Sequence, residues 1–156
     1  MKDIKLYITE KLKIRKPQKA KFYPADKDEL RKIITDKFNN DDNDLRDIDV
    51  SKVTSFEGLF RRLPAGNSPH RINSINVTGW NTSNVTNMKN TFFNNFNLEE
   101  IIGIEDWDVS NVTSMRSMFC HCYDLKLDLS MWKISPECDV ERIVKEAENI
   151  ILPKLY

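Results

Sequence analysis

Trp80-Asn81-Thr82-Ser83-Asn84-Val85-Thr86-Asn87-Met88 returns as Trp107-Asp108-Val109-Ser110-Asn111-Val112-Thr113-Ser114-Met115. An earlier copy, Ile48-Asp49-Val50-Ser51-Lys52-Val53-Thr54-Ser55-Phe56, has isoleucine in place of tryptophan. A later one, Trp132-Lys133-Ile134-Ser135-Pro136, is cut short by proline. Recurrence at this spacing is the signature of a stacked repeat architecture. It constrains how the chain is built far more tightly than what the chain binds.

Working outward from tryptophan, Ile75 and Val77 precede Trp80, Ile102 and Ile104 precede Trp107, and Leu127 and Leu129 precede Trp132 at identical offsets. Alternate apolar residues predict a short strand. The Asn/Asp-x-Ser segment after tryptophan favours a tight turn or a helix N-cap, because its side chains accept backbone N–H bonds. Val85, Met88 and Phe92, then Val112, Met115 and Phe119, recur at i, i+3, i+7, which predicts the apolar face of a short helix. Val53, Phe56 and Phe60 give the same face in the first copy. The three tryptophans hold a fixed place after the strand and are expected in the core. The Asn81, Thr82, Asn84 and Asp108, Ser110, Asn111 sets are expected to stack from copy to copy and satisfy turn backbone groups.

Leu-x-Leu-x-x-Trp, Ser-Asn-Val-Thr-x-Met and Met118-Phe119-Cys120-His121-Cys122-Tyr123-Asp124-Leu125 resemble the BspA-type leucine-rich repeat family over about Leu45 to Pro136. The resemblance implies a short α/β leucine-rich-repeat-like solenoid, with strand, turn and short helix in each coil. Known members of that family include bacterial surface proteins and lipoproteins that bind host proteins; their export signals and most of their repeat number are not found here.

Solenoid ends need caps. Asp26 stands three residues before Glu29 in a box-like N-cap, and Leu30, Ile33, Ile34 and Phe38 form an apolar helix face. Val140, Ile143, Val144, Ala147, Ile150 and Ile151 suggest an amphipathic C-terminal helix closed by Pro153. The expected organisation is a basic segment at 1–24, a capping helix at 25–44, repeats at 45–136 and a second capping helix at 137–156. Eight basic and two acidic residues fall within 1–24. Its Tyr7-Ile8-Thr9-Glu10-Lys11-Leu12 is similar to the leading peptides of some tailed-phage proteins destined for the capsid interior.

Lys+Arg and Asp+Glu number 24 each, so no global field draws the chain to nucleic acid or an anionic membrane. No apolar run is long enough to span a bilayer, and no secretory h-region opens the chain. Three cysteines fit a reducing compartment. The expectation is a cytoplasmic protein, or a virion component if phage-encoded.

Cys120, His121, Cys122 and Cys138 are zinc-ligand types, yet Cys-x-Cys is too tight for the usual paired spacing. Asp41 to Asp49 lacks the glycine and glutamate of a calcium loop. No phosphate loop or hydrolase motif is present, and four glycines leave little scope for one. The sequence therefore predicts no catalytic residue, metal or cofactor.

What remains are surfaces. The connection after Phe60 is longer than its counterparts and carries Arg61, Arg62, His70 and Arg71, a placement suited to protein recognition. The expected function is a non-enzymatic scaffold for protein–protein interaction; the alternative is a phage structural or packaged protein addressed by its basic N-terminal segment.

Overall fold

The structure is a computed structural model that describes residues 20–62 and 72–154. Residues 1–19 of the proposed N-terminal address and the loop residues His70 and Arg71 lie outside them.

The one α-helix among the described residues, α1 (Lys27–Asn39), begins where its side chains can replace missing backbone partners. Asp26 Oδ1 accepts the N–H groups of Asp28 and Glu29 at 3.0 and 2.9 Å, and the Glu29 carboxylate accepts the Ala25 N–H at 2.8 Å. The helix buries Leu30, Ile34 and Phe38 in the common core. Lys37 near its end donates to Asp42 and Asp47 at 2.7 and 3.0 Å. Burial works against the ammonium charge, but these two carboxylates raise its pKa above the usual value. Because Asp47 is only 5 % exposed, this pairing fastens α1 to the chain that follows.

The predicted strands are present but short. β1 (Ser74–Asn76) pairs in parallel with β2 (Glu100–Ile102), and Ile75 lies opposite Ile101. β3 (Leu127–Asp128) pairs in parallel with β4 (Ile150–Ile151). A 3-10 turn at Ile104–Asp106 follows Gly103, whose φ of +87° suits glycine. A Cβ there would lie 2.5 Å from the Thr78 backbone, so the position needs glycine for space as well.

After each strand region the chain forms linked tight turns rather than helices. Val53, Val85, Val112 and Cys138 donate their N–H groups to carbonyls three residues back, at Val50, Thr82, Val109 and Ser135. In the turns that follow, left-handed residues recur every fourth position: Gly58 and Arg62, Asn90 and Asn94, Ser117 and His121, Arg142 and Glu146. A positive φ at that interval stops an α-helix. Every second N–H then points to the adjacent copy. Phe56, Gly58, Phe60 and Arg62 donate to the carbonyls of Asn87, Lys89, Thr91 and Phe93 at 2.8–3.1 Å. Met88, Asn90, Phe92 and Asn94 donate to Ser114, Arg116, Met118 and Cys120. Met115, Ser117, Phe119 and His121 donate to Asp139, Glu141, Ile143 and Lys145. Parallel bridges join Ser55 to Asn87, Asn87 to Ser114 and Ser114 to Asp139.

The α/β leucine-rich-repeat-like solenoid with a helix in each coil and a helix at each end is therefore not the architecture. Among the described residues there are one α-helix, one 3-10 turn and two two-stranded sheets. The described part, 137–154, of the segment expected as a C-terminal capping helix at 137–156 holds a fourth set of turns and β4 instead. The i, i+3, i+7 spacing misleads because turns closed every three residues bring the same positions to one face as a helix does. Val140 and Val144 align with Met115 and Phe119 through the copy-to-copy bonds, not with one another through helical ones.

The core follows this alignment. Phe60, Phe92 and Phe119 stack with centroids 4.9 and 5.5 Å apart, and Trp80 and Trp107 lie 6.0 Å apart with planes 2° from parallel. Such pairs add about 0.5–1.5 kcal/mol each beyond area burial. The Trp80 indole donates to Leu45 O at 2.9 Å and the Trp132 indole to Ile104 O at 3.3 Å. The buried Trp107 Nε1 has no protein acceptor among the described residues. Polar ladders run alongside: Asn84 Nδ2 donates to Ser51 O and Asn111 Nδ2 to Ser83 O, at 2.7 and 2.8 Å. Asp49, Asn81 and Asp108 each accept the N–H of the serine two residues on.

Trp107→Ala, which removes the centre of the aromatic stack, should cost about 3–5 kcal/mol in urea unfolding; a variant of native stability would show that the indole is not a core element. A second expectation concerns acid. The Ser110 hydroxyl and N–H hold the Asp108 carboxyl below the usual range. Its contribution is therefore complete above the ordinary aspartate pKa and is lost as pH falls through the lowered folded value. Asp108→Asn preserves an acceptor, as Asn81 does, but not the charge. Its stability should fall less than the parent's between about pH 5 and pH 2; equal slopes would remove Asp108 from the acid response.

Candidate interaction surface

The last turns of the stacked copies bring together side chains far apart in sequence. Equivalent positions after the stacked phenylalanines are Arg61-Arg62, Phe93-Asn94 and Cys120-His121, followed by Lys145-Glu146 in the fourth copy. The Arg61 guanidinium carbon sits 5.3 Å from the Phe93 ring centroid, within the range of a cation–π contact. Phe93 meets His121 edge-on at 5.7 Å. His121 Nδ1 lies 2.8 Å from Glu146 Oε2, which also accepts the Tyr123 hydroxyl at 3.0 Å. The Tyr123 and His121 bonds hold the Glu146 carboxyl below its usual pKa, while the bond to Glu146 raises that of Tyr123. Tyr123 in turn stacks on Phe96, with centroids 5.6 Å apart and planes 13° from parallel.

This strip is polar at its ends and aromatic in its middle. Phe96 and Tyr123 remain 44 % and 47 % exposed despite their mutual contact. A fixed pair of large rings facing solvent suits recognition, since little side-chain freedom remains to be lost on binding. Of the four residues expected from sequence, the structure places Arg61 on the strip. Arg62 is exposed beside it and holds the backbone bond to Phe93 O. Both arginines line a cleft of about 240 Å³ against α1, together with Arg31, Ile34, Thr35 and Phe38. His70 and Arg71 are outside the described residues. Sequence reading missed Phe93, Phe96, Tyr123 and Glu146. The available signal was their aromatic and charged character at matched positions of neighbouring copies.

The cysteine group has a different character. Cys122 Sγ points inward and donates to Phe92 O at 3.1 Å, and burial pushes its thiol up to about 12. Asn95 Nδ2 fills the equivalent place one copy earlier, donating to Phe60 O at 2.8 Å. Cys122 is thus a buried donor for a carbonyl of the preceding copy. Burial also raises the thiols of Cys120 and Cys138. Among the described residues no three His, Cys, Asp or Glu side chains converge to hold a metal ion. No described helix is long and apolar enough to cross a membrane.

Stacked turn segments joined by parallel backbone bonds, with an exposed aromatic strip along one side, define a small layered protein with a surface rather than a pocket as its outstanding feature. The chain belongs to the family described as Mycoplasma protein of unknown function, DUF285, which matches residues 65–153, more than half of its length. This match replaces the BspA-type leucine-rich repeat assignment suggested by the Trp and Ser-Asn-Val-Thr motifs. No curated protein and no solved structure matches the chain.

With its thiol raised this far, Cys122 should resist a neutral aromatic disulfide reagent at pH 7.5 until denaturant is added, as followed by peptide mass mapping. Rapid labelling of Cys122 in the folded protein would contradict the buried-donor role.

Proposed function

We propose that this chain is a non-enzymatic scaffold that binds another protein through the strip formed by Arg61, Phe93, Phe96, Tyr123 and Glu146. The observation that carries the proposal is the exposed Phe96–Tyr123 stack, held in place by Glu146 and His121. Arginine and tyrosine are favoured at interface hot spots, and a pre-ordered aromatic pair lowers the ordering cost of association.

The test is affinity capture from source-cell lysate with the full chain and with a Phe96→Ala/Tyr123→Ala variant, alongside Arg61→Ala. A stoichiometric protein retained by the parent and reduced at least about tenfold with the double variant supports the strip, the loss equalling about 1.4 kcal/mol or more. Far-UV circular dichroism should show both variants folded. Undiminished capture by the folded double variant would end this assignment.

A further inference from the structure

Arginine holds carboxylates through a planar fork of N–H donors, and the described residues include six arginines. Three of them are already paired: Arg46 with Asp44, Arg116 with Asp139 and Glu141, and Arg142 with Glu141. The other three, Arg31, Arg61 and Arg62, form no ion pair among the described residues. All three line the cleft of about 240 Å³ between α1 and residues 59–62. Arg31 is held there by its bond to Gly58 O at 2.7 Å, and Arg61 by its contact with the Phe93 ring. The floor beneath the charges is apolar. Ile34 and Phe38 form it from α1, and Leu59 and Phe60 from the first turn segment, each fixed by its place in the common core. The connection 63–71, which leaves from Arg62, has no acidic side chain to neutralise the arginines.

We infer that this cleft receives an acidic segment of the partner protein, with carboxylates on the three guanidinium groups and one apolar side chain on the floor between them. Three positive charges without a counter-charge select an anionic occupant, and the guanidinium fork matches a carboxylate. The volume lies below the roughly 300–1,000 Å³ that encloses a whole small-molecule ligand, so the cleft seats one side chain of a longer segment. The inference rests on the scaffold reading and names the chemistry of the partner. Arg61 belongs to both the cleft and the aromatic strip, so a segment leaving the cleft runs onto Phe93.

The probe is the capped peptide acetyl-Asp-Glu-Leu-Glu-Asp-amide, added to the isotope-labelled full chain and followed by backbone amide shifts. Saturable shifts should centre on residues 31–38 and 59–62. Arg31→Gln/Arg62→Gln, which leaves Arg61 in the strip, should raise the half-saturating concentration at least about tenfold. Arg62→Gln alone, which spares the Arg31 bond to Gly58 O, should raise it severalfold and guards against a loss caused by unfolding. The peptides Asn-Gln-Leu-Gln-Asn and Asp-Glu-Ser-Glu-Asp, capped in the same way, should each bind at least about fivefold more weakly, one lacking charge and the other an apolar side chain.

Phe96→Ala/Tyr123→Ala should bind the probe like the parent, so the cleft is judged apart from the strip. Undiminished lysate capture by that variant would end the strip and leave the peptide result standing. The inference is overturned if no saturable shift appears by about 5 mM peptide, or if the arginine variants bind like the parent. It fails equally if the neutral or the serine peptide binds as well as the probe. Phenyl phosphate shifting the same amides at a lower concentration than the peptide would also overturn it, making the cleft a site for phosphoryl groups.

Discussion

The constraint on which the structure depends is the division of backbone N–H groups in the turn segments. Alternate groups close a local turn or cross to the next copy, so no run can become a helix without breaking the bonds that hold the copies together. Buried backbone groups cost roughly 1–3 kcal/mol when left unpaired, so this division is strongly enforced within the stack. The left-handed residues at every fourth position are its geometric consequence. They turn the chain so that the crossing donors within residues 56–62, 88–94 and 115–121 share one direction, while Thr86, Thr113 and Asp139 just before such segments donate back to the preceding copy.

Side chains complete the pairing where the backbone cannot. The Thr91 hydroxyl donates to Phe56 O and Met88 O at 3.1 and 2.7 Å. Asn95 and Cys122 serve the carbonyls of Phe60 and Phe92. These residues would look out of place in an apolar core if only burial were considered. In the stack they are the donors that make burial of those carbonyls affordable. The same alignment places Phe60, Phe92 and Phe119 face to face, so register fixed by hydrogen bonds is converted into aromatic packing.

The exposed strip follows from the same register. Just beyond the stacked phenylalanines Arg61 and Arg62 are exposed, Phe93, Asn94 and His121 are partly exposed and Cys120 is buried, and stacking sets Arg61 over Phe93 and His121 beside Glu146. A partner surface can thus be assembled from single residues contributed by four copies. Variation at those positions changes the surface without disturbing the buried ladder, which is a physical reason for a layered protein to carry recognition there. The family match speaks to membership alone, so the functional reading rests on this geometry.

The sequence by itself determined the copies, their order, the tryptophan and phenylalanine core and the helix opened by Asp26. Those features depend on residue type at fixed spacing, which is legible in one dimension. Only the tertiary structure decided that the i, i+3, i+7 segments are turns and that the residues after Pro136 form a fourth copy. The spacing of apolar residues is common to a helix and to linked turns; the difference lies in where each N–H goes, and that depends on a neighbouring copy about 25–32 residues away. For the same reason Arg61 was legible as a loop charge, whereas its contact with Phe93 and the Phe96–Tyr123 pair were not. Contacts between copies exist only once the backbone register has brought them side by side.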